Sequence, residues 1–314
     1  MSLPRVSSNP HIRSGATTQL IMFTVILALM PAFGYGVYNF GIRALFVVIV
    51  CIASCVLSEV VFALIAKKKI RVDDLSAVVT GLLLALNLPV SIPYWQAALG
   101  SAFAIIVVKE LFGGLGKNFM NPALAGRCFL IISFPVAMTN FTTDTYTGAT
   151  PLALLKSGES VDIRSMVFGN IPGTIGETSM IMILIGACIL LLTGVIDLWV
   201  PGSYILSFVL FLILFGGHGF DPAFISAHLA GGGLMLGAFF MATDYVTRPV
   251  SKKGQAIFGI FIGIMTGIFR IFGPSAEGVS YAIILGNCIV PIIDKFTVPV
   301  PFGLTASEFK KGGR

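Results

Sequence analysis

"RALFVVIVCIASCVLSEVVFALIA", residues 43 to 66, decides the fold. Its only charged residues are Arg43 at the edge and Glu59 well inside. A helix rising 1.5 Å per residue over this stretch reaches about 36 Å, past the roughly 30 Å hydrocarbon core of a bilayer. Apolar residues run all round such a helix, so no water-facing side is left. The segment belongs in lipid or deep in a large core.

The rest of the chain decides between those two. Its 314 residues are 56% hydrophobic and 11% charged, whereas soluble domains carry about a quarter charged residues. Mean hydropathy is +0.96. Further apolar runs fall at 19–39, 75–90, 94–112, 122–138, 178–196, 200–216, 226–243, 255–272 and 278–295. The reading is an all-α polytopic membrane protein with about ten transmembrane helices. It forms a single integral membrane domain over 1–314, with no block polar enough for a separate soluble domain. Residues 1–18 are polar, and the first apolar run is followed by another, so no cleavable signal is expected. Two runs contain breaks: "NLPVSIP" closes the third, and "GGG" at 231–233 interrupts the eighth. Broken helices at membrane depth are tolerated where they line a cavity, and small residues also serve close helix packing.

Charge sets the orientation. With the N-terminus inside, the outer segments hold only Arg43, Lys156 and Arg164, and Arg127 and Arg270 lie near helix ends. The other 15 of the 20 basic residues fall on inner segments. Positive residues stay inside, so the expectation is N-in and C-in, with 1–18 and 296–314 cytoplasmic and 139–177 an outer loop. The net charge of +6 sits in short clusters between apolar runs, without a basic face interleaved with aromatics, which argues against nucleic acid.

Five cysteines, Cys51, Cys55, Cys128, Cys188 and Cys288, lie in or beside apolar runs without a Cys-x-x-Cys. They read as small buried hydrophobes rather than a disulfide framework or an iron–sulfur site. His11, His218 and His228 are scattered, with His11 and His218 at loops or helix ends. His228 is placed near a helix start, hydrogen-bonded rather than metal-bound.

Gly-Ala-Thr occurs twice, as "RSGATT" at 13–18 and within "DTYTGATPLA" at 144–153. The first lies inside, where Thr17 reads as a helix N-cap. The second lies on the longest outer connection, and Asp144 stands six residues before Thr150. A polar loop that long in so hydrophobic a chain points to function. Asp-x-x-[Ser/Thr]-Gly-Ala-Thr resembles the signal at which an exported flavin transferase links FMN to threonine through a phosphoester.

Three other stretches carry the same resemblance: "KELFGGLGKNFMNPALAGR" at 109–127, "GAFFMATDYVTRPVSKKGQAIFG" at 237–259 and "EGVSYAIILGNCIVPIID" at 277–294. With "NPHIRS" at 9–14 they cover nearly the whole chain. It resembles the RnfD/NqrB membrane flavoprotein family, which holds the D subunit of Rnf complexes and the B subunit of the sodium-pumping NADH:quinone reductase. The shorter N-terminal region makes the Rnf member the better match.

The resemblance implies an electron carrier of the bacterial cytoplasmic membrane. Its fold is similar to urea transporters, two bundles of five helices. Its complex couples ferredoxin and NAD chemistry to Na⁺ or H⁺ export. The expected partners are the other subunits, including an outer-face flavoprotein (the G subunit) and the A and E membrane subunits. The expected cofactors are covalent FMN near the outer face and non-covalent riboflavin toward the inner face. FMN falls on Thr150, within the motif Asp144, Thr147, Gly148 and Ala149. Here Thr145 and Thr147 stand where the family often has Gly and Ser, and neither change removes the acceptor hydroxyl.

Asn118 and Asn121, three apart after a Gly-rich loop, suit a flavin ring, which offers a donor and carbonyl acceptors to amides. Helix capping beside Pro122 is the other reading of the pair. Arg127 and Arg270 are read as steadying flavin charge or pairing with acids. Glu59, Glu110 and Asp244 are candidates for a cation path, because an acid at membrane depth is costly. Glu277 and Asp294, also in or beside apolar runs, lie outside that set, Asp294 next to Lys295. No Gly-x-Gly-x-x-Gly occurs in a βαβ setting, so hydride chemistry is expected of a partner. Two alternatives stand beside this reading: the B subunit of a quinone reductase, and a flavin-free channel of urea-transporter type. Covalent flavin excludes the channel, and the electron acceptor separates the two redox readings.

Overall fold

The computed structural model describes residues 15, 17–68, 72–141, 150–157, 159, 161–273 and 278–299. Asp144, Thr147, Gly148 and Ala149, the "NPHIRS" segment and Glu277 lie outside the described residues. Among those described the chain is all helix, and its one isolated β-bridge joins Pro89 to Thr174.

The helices are α1 (Thr18–Phe40), α2 (Ile42–Ile65), α3 (Ser76–Leu86), α4 (Tyr94–Phe103), α5 (Pro122–Ser133), α6 (Pro135–Thr139), α7 (Pro151–Lys156), α8 (Ile163–Phe168), α9 (Met180–Leu192), α10 (Trp199–Phe215), α11 (Pro222–Ala230), α12 (Leu234–Leu236), α13 (Lys252–Ile271) and α14 (Val279–Thr297). A π-helical turn extends α4 over Ala104–Glu110, and another extends α12 over Gly237–Met241. Four helices, α1, α2, α13 and α14, are long and apolar enough to cross a membrane. Counting the bent pair Pro222–Ala230 and Leu234–Met241 as one span makes five. Helices α3, α5, α9 and α10 are apolar but shorter. The loop 139–177 is not wholly irregular, for α7 and α8 lie within it. Asp162 caps α8, and the Ser165 hydroxyl (2.6 Å) and the Arg164 N–H (3.0 Å) hold its carboxyl below the usual range.

Large apolar side chains face outward along the long helices, among them Phe23, Leu57, Leu64, Leu206 and Leu210. A water-soluble protein does not display so much contiguous apolar surface, and lipid is the solvent that accepts it. The core lies between the helices, around Leu84, Leu124, Tyr204, Phe208 and Phe258. Small residues bring α10 and α13 together. A Cβ on Gly259 or Gly263 would sit 1.9 or 2.0 Å from the hydroxyls of Ser203 and Ser207. This is the close approach by which helices associate in lipid, where burial of apolar surface supplies no drive. Cys51, Cys55 and Cys128 are buried as expected, while Cys188 and Cys288 are exposed.

Both breaks anticipated from Pro and Gly are present. The first separates α3 from α4 over residues 87–93. Segment 174–176 satisfies its backbone: Ile175 N donates to Leu88 O at 3.1 Å and Gly176 N to Leu86 O at 2.8 Å. The second lies at Gly231–Gly233, where the pair bends by 63°. Arg270 serves that end, donating to the carbonyls of His228, Gly231 and Gly232. Irregular backbone within a membrane protein persists only with such partners. His228 lies in the last turn of α11, not near a helix start as the apolar run suggested, because the break ends the helix two residues later.

Candidate functional site

Thr17 and Thr150 meet different fates. Thr17 caps α1, its Oγ1 accepting from Leu20 N at 3.2 Å. Thr150 has the extended backbone of an N-cap before Pro151, but its side chain makes no capping bond to α7. Its carbonyl accepts from Ala153 N (2.9 Å) and Leu154 N (3.0 Å), which starts the helix without the hydroxyl. Thr150 lines a small cavity with Pro172, Gly173, Glu177, Gly231 and Gly232. The acidic part of its motif, Asp144, lies outside the described residues.

Asn118 and Asn121 both line a second cavity of about 80 Å³. Its polar wall also has Ser76, Thr80, Lys109, Thr243 and Asp244, and its apolar wall includes Val79, Leu83, Leu190 and Phe240. Asn121 is in addition the N-cap of α5. Its Oδ1 accepts from Ala123 N (3.0 Å) and Leu124 N (3.3 Å), and its Nδ2 donates to Met241 O at 3.3 Å. The capping reading of this residue therefore holds, and the same residue lines the cavity. Asn118 Nδ2 donates to Met120 O at 3.2 Å.

Arg127 lines neither cavity. It reaches inward from α5 and donates through Nη1 to Asn87 Oδ1 (2.9 Å) and Glu177 Oε1 (3.2 Å). Glu177 lies at the end of the 139–177 connection, which also holds Asp144, Glu159 and Asp162. The chain after α8 carries it back into the core, against the second break. Gly233 there has a φ of +64°, and a Cβ would meet Glu177 Oε1 at 2.3 Å, so only glycine fits. From Asn87 the polar chain continues: its Nδ2 donates to Met241 Sδ at 3.7 Å, and Met241 O accepts from Asn121. Glu177, Arg127, Asn87, Met241 and Asn121 thus connect the Thr150 cavity with the Asn118–Asn121 cavity. Removing one partner of a buried ion pair costs about 3–5 kcal/mol, because the remaining charge stays desolvated. Glu177→Ala is therefore expected to lower the thermal denaturation midpoint in detergent sharply. Glu177→Gln, which keeps a hydrogen-bond acceptor for Arg127, should lower it less.

The three acids line two different cavities. Glu59 and Glu110 line a third cavity of about 380 Å³ with Asp74, Lys68 and Lys117, while Asp244 lines the Asn118–Asn121 cavity. Asp244 accepts from Thr247 Oγ1 at 3.1 Å. Glu59 is ion-paired with Lys109 at 3.0 Å, both buried. That partner was not identified from the sequence. The signal was there: an acid deep in an apolar run requires a cation, and Lys109 stands in another such run.

Residues 5–303 match the NQR2, RnfD, RnfE family. The chain is 47% identical over 309 residues to the D subunit of the Na(+)-translocating ferredoxin:NAD(+) oxidoreductase complex of Acetobacterium woodii, covering 96% of this chain and 95% of that protein. It is 42% identical over 319 residues to the proton-translocating counterpart of Clostridium ljungdahlii, covering 95% and 96%. It is 33% identical over 347 residues to the D subunit of the ion-translocating oxidoreductase complex of Salmonella typhimurium, covering 95% and 98%.

Proposed function

This chain belongs to the NQR2, RnfD, RnfE family, and from that premise we propose that it is the membrane electron-transfer D subunit of an Rnf-type ion-translocating ferredoxin:NAD oxidoreductase. It spans the bilayer about ten times as one domain, N-in and C-in, in two bundles. It sits in the bacterial cytoplasmic membrane beside the A and E membrane subunits and the outer-face flavoprotein, the G subunit. The relatives are named for sodium or for proton translocation, so the coupled species is a small monovalent cation.

Thr150 holds FMN through a phosphoester. The observation that carries this reading is the contrast between the two Gly-Ala-Thr threonines: Thr17 spends its hydroxyl on a helix cap, and Thr150 does not. A cap already engaged in the folded helix is a poor acceptor, whereas a hydroxyl on an extended residue beside a cavity can be esterified without loss of a structural bond. Asp144, Thr147, Gly148 and Ala149 complete the transferase signal.

The Asn118–Asn121 cavity holds riboflavin without a covalent link. The donor set fits the group: amides and hydroxyls for the ring's carbonyls and ring N–H, and aliphatic and aromatic walls for its faces. Bound flavins supply electron transfer between the two sides of the membrane. Arg127 acts between the two sites, held by Glu177 and Asn87. Glu59, Glu110 and Asp244 remain the acids proposed for the cation path, in two separate groups.

In-gel flavin fluorescence after denaturation in SDS tests the class, since a flavin-free channel would show none. The riboflavin site has its own test. Asn118→Leu with Asn121→Asp keeps the α5 cap acceptor but removes both amide donors. The doubly substituted protein is expected to release no riboflavin on extraction while keeping its covalent flavin. Full riboflavin retention would refute the assignment. The electron-acceptor profile of the complex separates the NAD-linked reading from a quinone reductase.

A further inference from the structure

Lys109 is 2% exposed, and it reaches the wall between two cavities. Lys109 lines the Asn118–Asn121 cavity, while its ion-pair partner Glu59 lines the neighbouring acidic one. Lys109 Nζ donates to Glu59 Oε2 at 3.0 Å and to Ser76 Oγ at 2.6 Å. Ser76 in turn donates to Asp74 Oδ1 at 2.5 Å, so its oxygen is oriented to accept from the lysine. Among the described residues lining the Asn118–Asn121 cavity, Lys109 is the one cation, and Asp244 the one carboxylate.

The local fold explains how a lysine comes to be there. Ala104–Glu110 is a π-helical turn, hydrogen-bonded five residues apart rather than the four of an α-helix. It buries the consecutive residues Lys109 and Glu110 together, each lining a different cavity. Unsupported, a buried ammonium is costly, and Glu59 and Ser76 offset that cost from behind. Of the buried pair, the cationic member Lys109 belongs to the wall of this cavity and the anionic member Glu59 to that of its neighbour. In a water-poor environment such a charge acts far more strongly than it would in solvent.

We propose that Lys109 is the charge-setting residue of this cavity: it presents a fixed cation to the ring bound between Asn118, Asn121 and Asp244, and so favours uptake of an electron there. The inference rests on the riboflavin reading above. Its balance is simple: one electron enters the ring from the donor side, and no bond is made or broken.

The test uses the full-length chain carrying Thr150→Ala, in which the non-covalent flavin is the remaining one, and measures its midpoint potential by spectroelectrochemistry. Lys109→Gln is expected to weaken electron uptake at least tenfold, about 59 mV for one electron, with riboflavin content retained. Lys109→Arg should restore most of the shift. Because Lys109→Gln strands Glu59, the double variant Lys109→Gln, Glu59→Gln removes both charges and should show a smaller drop of the same sign in a better-folded protein. Release of riboflavin by Lys109→Gln makes Lys109 a part of the binding pocket and overturns the charge-setting role. An unchanged potential with riboflavin bound overturns the role of Lys109. Absence of riboflavin from the Thr150→Ala chain itself overturns the second-flavin reading instead.

Discussion

Thr150→Ala is expected to abolish covalent flavin completely, leaving no fluorescent band after SDS denaturation. The phosphoester needs an alcohol, and alanine has none. The same substitution should leave assembly nearly unchanged, because Thr150 caps α7 without a side-chain bond and its carbonyl, which starts the helix, remains. Thr17→Ala should behave in the opposite manner. It keeps covalent flavin at the wild-type level but removes a cap bond to Leu20 N, which costs about 1 kcal/mol of helix stability. Mass spectrometry of tryptic peptides decides between them: FMN on a peptide containing Thr17 would sink the assignment.

The second large effect concerns the route of the electron. The hydrocarbon core is about 30 Å thick, and one flavin does not serve both faces across it. The proposed sites are joined inside the protein by Glu177, Arg127, Asn87, Met241 and Asn121. In stopped-flow measurements on the complex, Thr150→Ala should leave the non-covalent flavin unreduced by ferredoxin within the turnover time, while the flavin itself stays bound. Charge moved inward through the membrane potential carries about 2.3 kcal/mol per elementary charge per 100 mV, enough to bias a cation site between the two faces. Reduction at the wild-type rate in the Thr150→Ala complex means that the electron bypasses Thr150, and this relay is then wrong.

The membrane class needed no structure. A stretch like 43–66 leaves lipid or a large core, and the composition of the whole chain decides for lipid. The breaks were also local, since Pro and Gly act on the backbone of their own residues: "NLPVSIP" ends α3 and "GGG" bends α11 against α12. The N-cap at Thr17 belongs to the same category, a side chain bonding three residues along its own helix. Asn118 and Asn121, close in sequence at the start of α5, line one cavity.

What the sequence left unread was every contact between distant segments. Glu59 and Lys109 are 50 residues apart, as are Arg127 and Glu177. No periodicity links such residues, and a loop acid such as Glu177 looks like any other solvated carboxylate until the chain folds it inward. The position of His228 failed for a related reason: the apolar run continues through the glycines, and only the 63° bend shows where the helix stops. The sequence by itself determined the solvent of this protein and its helical class, because those follow from composition and near neighbours. Only the tertiary structure decided which charges neutralise one another. A buried ion requires a partner but does not specify where along the chain that partner stands, and the packing of α2, α5 and the segment before α9 supplies the answer.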